Sequence, residues 1–441
     1  MPDSKLGLIK HFGKLKSIIQ SRVGGVIWAA IAAFTTYACM YTYRKPLTAG
    51  LFEEYELWGI NYKIIIIITQ VLGYLTSKFI GIKIISELFP KNRRILLLSL
   101  VGASLFALFL FGITPYPYNF IWVFFNGLPL GLIWGIVFSY IEGRRVTDVL
   151  ATFLSISFII SSGIVKSIGR TLVESWHISE FWMPFVVGSL FIPLMLFSSW
   201  MLEKIPEPDT VDKASRTERK PLNKTQRNAL FSRYWLGLTA ILTVNLVMTI
   251  GRDIKDSFLI DIWQTLMADA DPLVYSQIET IVGIIVLVML AFITLIKNNN
   301  SAFFTIHGIM FLGLASVVAS TFLFTQGYLS PFVWIIIHGV GLYLSYIAFQ
   351  SLYFERFIAT FQISGNVGYF IYLSDFLGYL GSCLILINKE LFDIALNWKD
   401  FFIGLSYGIS LIGMVAVLIA QVYFFNKLKS PAIELQPQQN F

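Results

Sequence analysis

The sequence predicts an all-α polytopic membrane protein. Of its 441 residues, 56% are hydrophobic and only 13% are charged, and the mean hydropathy is +0.71. Soluble proteins carry about 25% charged residues, roughly twice this fraction. Long uncharged runs recur along the whole chain, whereas a membrane β-barrel would show short alternating segments. The runs are therefore interpreted as transmembrane helices.

Twelve segments have the length and hydropathy that a helix needs to cross the bilayer. The first six lie at residues 25–50, 60–86, 94–114, 118–141, 149–171 and 181–203. The second six lie at residues 234–262, 275–296, 302–325, 331–353, 364–387 and 400–425.

A charged, apolar-poor stretch with three prolines separates the two sets and is predicted to be a solvated linker. The predicted organisation is a basic lead-in at 1–24, an N-terminal bundle at 25–203, a linker at 204–233, a C-terminal bundle at 234–425 and a tail at 426–441. Two six-helix pseudo-symmetric bundles joined in this way match the major facilitator fold, in which a solute binds near the midplane between the halves.

Basic and acidic loops alternate along the chain. Basic residues mark the cytoplasmic side, so both termini and the linker are predicted to be cytoplasmic. The net charge of +7 is explained by this bias, and no nucleic-acid partner is expected. Short loops favour a bacterial inner membrane, and the default oligomeric state for this architecture is a monomer. No metal-ligand cluster, nucleophile triad or phosphate-binding glycine loop is visible, so neither an enzyme nor a cofactor is predicted.

The first predicted helix carries a charge where one is costly. An ionisable group at membrane depth costs at least about 2.5–3.5 kcal/mol on insertion scales and usually marks a pathway or a partner. Arg44 shares one helix face with three other polar side chains, Tyr37, Tyr41 and Thr48. Arginine offers paired donors to phosphate or carboxylate, so this face is a candidate anion site. Two alternatives are that Arg44 pairs with Asp375 or that it extends outward to the interface.

The seventh predicted helix repeats this spacing on one face, at Asn245, Thr249, Arg252 and Asp256. Arg252 and Asp256 are expected to neutralise each other in the empty state and to act as a gate that opens when substrate competes for Arg252. Asp253 and Lys255 are expected to pair with neighbours. The alternative is that the helix ends here and that the cluster is interfacial.

The remaining buried polar candidates are spread over three helices. Lys78 is either a site residue or a structural partner of an acid, and Lys166 is a further candidate. Asp375 either accepts a coupling proton or pairs with a basic residue. His307 and His338 each lie alone on apolar helices, where a packed, hydrogen-bonded role is the more common one.

Three stretches resemble the organophosphate:phosphate antiporter family of major facilitators: YTYRKPL, GYLTSKFIGIKIISELFPKNRR and DFLGYLGSCL. Arg44, Ser77-Lys78-Phe79 and Arg252 match the family's motifs residue by residue. The resemblance implies that Arg44 and Arg252 clamp an anionic group and that Lys78 lies nearby. The family's fifth-helix histidine is missing, and the corresponding stretch offers Lys166 and three serines, Ser157, Ser161 and Ser162.

The function predicted from the sequence is secondary active transport of a small anionic solute, with phosphate or an organic phosphate as the leading candidate. Protons or phosphate would be the counter-substrate. One alternative is a proton-coupled transporter of a carboxylated metabolite, peptide or drug-like anion. Another, of a different class, is a transporter-like membrane sensor.

Overall fold

The computed structural model describes residues 22–86, 92–142, 144, 146–207, 224–267, 270–363, 368–391 and 396–429. Most of the predicted lead-in, the middle of the predicted linker and most of the predicted tail lie outside these residues. The predicted domain boundaries and the orientation in the membrane therefore stay predictions.

The N-terminal half consists of seven α-helices and a small hairpin. Its helices are α1 (Arg22–Arg44), α2 (Tyr62–Ser86), α3 (Arg93–Ile113), α4 (Phe120–Ile141), α5 (Thr147–Glu174), α6 (Met183–Leu190) and α7 (Ile192–Glu203). Between α1 and α2, strands β1 (Glu56–Leu57) and β2 (Ile60–Asn61) pair antiparallel.

The C-terminal half begins with the longest helix. Its helices are α8 (Lys224–Gln264), α9 (Leu273–Thr294), α10 (Asn299–Thr325), α11 (Pro331–Ala348), α12 (Phe354–Phe361), α13 (Gly368–Leu391) and α14 (Trp398–Lys429). A π-helical turn at Phe349–Tyr353 connects α11 to α12.

Helices occupy each of the twelve predicted places. By length and composition, nine helical spans of the described residues can cross a membrane, or ten if the bent pair α6 and α7 forms one span. The all-helical, polytopic character is thus confirmed, while the number of twelve crossings stays a prediction.

The first helix ends earlier than predicted. The sequence suggested one kinked helix through residues 25–50, but α1 ends at Arg44 and a 3₁₀ helix follows at Pro46–Ala49. Pro46 has no N–H to continue the helical ladder, and its ring clashes with the preceding turn. The break places Arg44 and Lys45 at the end of α1, deep inside the bundle, where each is about 5–6% exposed.

The seventh predicted helix, in contrast, continues past its charged segment. Within α8 the backbone departs from helical angles only at Tyr234 and Phe258. The helix therefore continues through Arg252 and bends at Phe258, two residues after Asp256. Arg252 and Asp256 are 6% and 7% exposed, so this part of α8 is buried.

The two halves pack most closely where α5 crosses α9. A Cβ atom on Gly163 of α5 would lie 2.6 Å from the Cβ atom of Glu279 and 2.6 Å from the carbonyl oxygen of Tyr275. About one turn after Glu279 on α9, a Cβ atom on Gly283 would lie 2.7 Å from the side chain of Ile160. Small residues allow such close helix contacts in membranes, and here they bring the polar side chains of both halves together.

Candidate anion-binding site

Two arginines, one from each half, lie near the same tyrosine. The guanidinium carbon of Arg44 is 6.0 Å from the ring centroid of Tyr379, and that of Arg252 is 5.5 Å from the same centroid. Tyr379 belongs to α13 and is only 4% exposed. Arg44 and Arg252 thus share one aromatic neighbour, and their joint binding of an anion stays a prediction.

Arg44 has aromatic neighbours but no carboxylate partner among the described residues. Its guanidinium carbon lies 4.3 Å from the ring centroid of Tyr74 and 6.0 Å from that of Tyr41. Its buried Nε atom has no hydrogen-bond partner in the described structure. The alternative that Arg44 pairs with Asp375 is wrong, because that carboxylate is held by other residues.

Arg252 pairs with the next residue rather than with Asp256. Its Nη2 atom donates to Oδ1 of Asp253 at 2.6 Å, and its guanidinium carbon lies 4.2 Å from the ring centroid of Tyr346. The predicted Arg252–Asp256 pair is therefore wrong. Its buried Nε atom, like that of Arg44, has no hydrogen-bond partner in the described structure.

Asp256 instead joins α8 to two lysines of the N-terminal half. Lys45 Nζ lies 2.5 Å from Oδ2, and Lys166 Nζ lies 2.6 Å from Oδ1. The hydroxyl of Ser162 also donates to Oδ1. Two ammonium groups outcompete Arg252 because both approach from across the interface, while Arg252 turns toward Asp253. Lys45 is only 5% exposed and reaches α8 from the end of α1.

Lys78 and Asp375 form a third contact between the halves. Lys78 Nζ donates to Oδ2 of Asp375, and Gln350 Nε2 donates to Oδ1 at 2.6 Å. Lys78 also lies 5.3 Å from the ring centroid of Tyr74, the ring that stacks on Arg44. Of the alternatives for these two residues, the structure shows the ion pair.

Lys255 and Glu279 form a pair that is completely buried. Both side chains are 0% exposed, and Lys255 Nζ lies 2.6 Å from Oε1 of Glu279. This pair links α8 to α9 within the C-terminal half. The prediction that Asp253 and Lys255 pair with neighbours is confirmed.

The other predicted site residues differ in their contacts. Tyr37 and Tyr41 pack edge-to-face, with ring centroids 5.5 Å apart, next to Arg44. Asn245 does not point to an arginine: its Nδ2 atom donates to the carbonyl oxygen of Ser374 at 3.0 Å, which ties α8 to α13. Its buried Oδ1 atom has no hydrogen-bond partner in the described structure, and the predicted binding role of Asn245 stays a prediction.

Three tyrosines of this site were not predicted. Tyr74, Tyr346 and Tyr379 supply the rings nearest the two guanidinium groups. A usable signal existed for two of them, since Tyr74 and Tyr379 each lie four residues from a charged residue, Lys78 and Asp375, and so share its helix face. Tyr346 has no charged residue four positions away, so its sequence gives no such signal.

A small cavity of about 20 Å³ adjoins the site. Its polar lining comes from both halves and includes Arg44, Gln70, Asp253 and Ser382. This volume holds about one water molecule. The cavity is therefore too small for a phosphate-sized anion in this conformation.

The central cluster carries more positive than negative charge. It is defined here by six cations, Arg44, Lys45, Lys78, Lys166, Arg252 and Lys255, and four carboxylates, Asp253, Asp256, Glu279 and Asp375. The surplus of two arises because Arg44 has no carboxylate partner and because two lysines share Asp256. Such a surplus in a buried site favours a bound anion.

A membrane protein of the major facilitator fold is the class that this architecture defines. A crystal structure of a D-xylose-proton symporter aligns with a TM-score of 0.56 at 14% identity, covering 91% of this chain and 97% of that chain. The alignment confirms the predicted fold class. Over residues 46–427 the chain matches the model of a family of unknown function, DUF5690, and it belongs to that family. No curated protein sequence matches.

Proposed function

We propose that this protein is a secondary transporter of a small anion that binds between Arg44 and Arg252. The observation that carries the proposal is the surplus of two positive charges in the central cluster. At roughly 2.5–3.5 kcal/mol for each uncompensated cation at membrane depth, this surplus costs about 5–7 kcal/mol. A dianion, with phosphate or a phosphate monoester as the leading candidate, offsets that cost.

The ion pairs between the halves support alternating access. Lys63 at the start of α2 pairs with Asp261 near the end of α8, with 2.6 Å between nitrogen and oxygen. Lys78 lies fifteen residues further along α2, about 22 Å away at 1.5 Å per residue. The site can therefore open toward one end by breaking one pair while the other pair keeps the opposite end closed.

The anion couples binding to closure because each half supplies one arginine. A guanidinium offers planar, paired donors, and each arginine has a buried Nε atom with no described partner. An anion that bridges the two would draw the halves together. Carboxylates accept hydrogen bonds from the same donors, so a carboxylated metabolite is the second candidate substrate. Its transport would be coupled to protons, as the name of the aligned symporter states for that protein.

Counterflow in liposomes tests the proposal. Purified protein is reconstituted in vesicles loaded with phosphate, and the entry of labelled phosphate is measured. Arg44→Lys and Arg252→Lys are each expected to lower counterflow at least about 10-fold, because a lysine cannot supply two parallel donors and a charged hydrogen bond contributes about 1.5–3 kcal/mol.

The matched control is Arg94→Lys. Arg94 pairs with Glu203 at 2.9 Å, and both side chains are 29–43% exposed, so counterflow should stay at the wild-type level. Unlabelled glycerol 3-phosphate, hexose phosphate and succinate are then offered as competitors to separate phosphates from carboxylates. Wild-type counterflow in the double variant Arg44→Lys, Arg252→Lys refutes the proposal, and tight phosphate binding without any flux indicates a sensor.

A further inference from the structure

We propose that Glu279 is the proton-binding carboxylate that couples this transporter to a pH gradient. The inference rests on the proposed anion transport and adds its driving ion. It starts from a comparison of the four carboxylates of the central cluster, which differ in how many donors hold them.

Asp256 has the best-compensated charge of the four. It accepts hydrogen bonds from Lys45, Lys166 and Ser162. Protonating it would leave two lysines without a counter-ion. Since each donor to a carboxylate stabilises its ionised form, Asp256 is the carboxylate least suited to accept a proton.

Asp253 and Asp375 are also held at both oxygens. Asp253 accepts from Arg252 at 2.6 Å and from Ser382 at 3.0 Å. Asp375 accepts from Lys78 and Gln350. The sequence had suggested Asp375 as a proton site, but both of its oxygens already accept hydrogen bonds.

Glu279 differs from all three. Its Oε1 atom accepts from Lys255, while its buried Oε2 atom has no hydrogen-bond partner in the described structure. No other carboxylate oxygen in the described part of the chain is both buried and without a partner. An ionised carboxylate with a single donor at 0% exposure is the one whose charge is least stabilised.

The position of Glu279 connects its protonation to the movement of the halves. Its Cβ atom packs against Gly163 of α5, at the closest contact between the halves. Lys166, three residues beyond Gly163, holds Asp256. Any rocking motion that separates α5 from α9 exposes Glu279 and gives a proton access to it.

Charged and titratable groups lie near Glu279 on three helices. Lys255 on α8 contacts it, and His338 and Tyr343 on α11 lie close to the Lys255–Glu279 pair. Lys166 on α5 lies about one turn beyond Gly163, where it holds Asp256. Lys255 is the one that responds directly, since it loses its counter-ion when Glu279 is protonated. His338 is hydrogen-bonded to Ser406 at 2.9 Å.

Protonation of Glu279 raises the positive surplus of the central cluster from two to three. Protonation leaves the ammonium group of Lys255 without a counter-ion. Lys255 lies three residues after Arg252, on the same face of α8. Proton binding therefore strengthens anion binding, and anion binding strengthens proton binding by the same factor. The proton and the anion cross together.

Accumulation of labelled phosphate against its gradient, driven by an acidic exterior, is measured in vesicles for the wild type and for Glu279→Gln. In the variant, the accumulation that depends on the pH gradient, measured relative to the same protein's counterflow at equal pH on both sides, is expected to fall at least about 10-fold below the wild-type ratio. Phosphate changes its own protonation with pH, but that effect is common to both proteins and cancels in the comparison.

Glu174→Gln is the matched control, because Glu174 pairs with Arg170 at the end of α5 and its side chain is 41% exposed; it should accumulate phosphate like the wild type. Equal pH-driven accumulation by Glu279→Gln and the wild type overturns the proposal. Absence of counterflow in the wild type defeats the proposed transport instead, so the two failures are distinguishable.

If Glu279→Gln does not fold, Glu279→Asp takes its place. It keeps the carboxyl group on a shorter stem, away from Lys255. The pH at which accumulation is half-maximal should then move by about half a pH unit or more, and an unchanged pH profile overturns the proposal.

Discussion

Replacing Asp256 by asparagine removes one charge at the point where the halves meet. The side chain keeps its size, but Lys45 and Lys166, 5% and 0% exposed, lose their shared counter-ion. Breaking a buried ion pair from one side costs about 3–5 kcal/mol. The positive surplus of the central cluster rises from two to three at the same time.

The expected loss is large enough to measure by thermal unfolding in detergent. At roughly 2–4 °C for each kcal/mol, Asp256→Asn should lower the melting temperature by about 6–20 °C in buffer without phosphate. Added phosphate should then raise the melting temperature of the variant more than that of the wild type, because it compensates a larger surplus. A ligand at one hundred times its Kd stabilises the native state by about 2.7 kcal/mol.

Two further variants make the reasoning refutable. Asp400→Asn is the matched control, since Asp400 pairs with Lys399 at 3.5 Å on the surface and should change the free energy of unfolding by less than about 1 kcal/mol. Adding Lys166→Met to Asp256→Asn restores the original surplus and should recover much of the loss. If Asp256→Asn melts within a degree or so of Asp400→Asn, the charge argument for the central cluster is wrong.

Two other predictions concern the contact between the halves. Gly163→Val should abolish phosphate counterflow, because its Cβ atom would lie 2.6 Å from the Cβ atom of Glu279 and force α5 away from α9. Gly308→Ala should keep counterflow, because a Cβ atom on Gly308 has no other atom within 4 Å. Lys63→Asp should lower counterflow by placing two carboxylates together, and adding Asp261→Lys should restore it, because the exchanged pair can reform between α2 and α8. Normal counterflow in Gly163→Val, or no recovery in the exchanged pair, would contradict these assignments.

The fold was largely predictable because its physical basis is local in sequence. Twenty or so apolar residues form a helix in a bilayer whatever their neighbours are, so the helices could be placed from hydropathy alone. The hairpin of β1 and β2 was not predicted, since its four residues carry no alternating pattern. The early end of α1 was partly visible in Pro46.

The site was only half predictable, because its partners come from distant parts of the chain. The spacing of polar residues correctly selected Arg44 and Arg252 as buried groups, but helical spacing alone also predicted the pair Arg252–Asp256, which does not form. A residue four positions away is an available partner, not a necessary one. Two lysines from the other half bind Asp256 more closely, and no pattern within α8 could reveal them.

Among the described residues, the four ion pairs that join the halves share a direction. Lys45, Lys63, Lys78 and Lys166 all belong to the N-terminal half, and their aspartates all belong to the C-terminal half. Lipid tails are as apolar as the side chains of a helix surface. Apolar packing alone therefore distinguishes poorly between partner helices in a membrane. Two N-terminal halves would bring lysine against lysine, and two C-terminal halves aspartate against aspartate. The same side chains that surround the candidate site therefore also determine which half recognises which during assembly in the membrane.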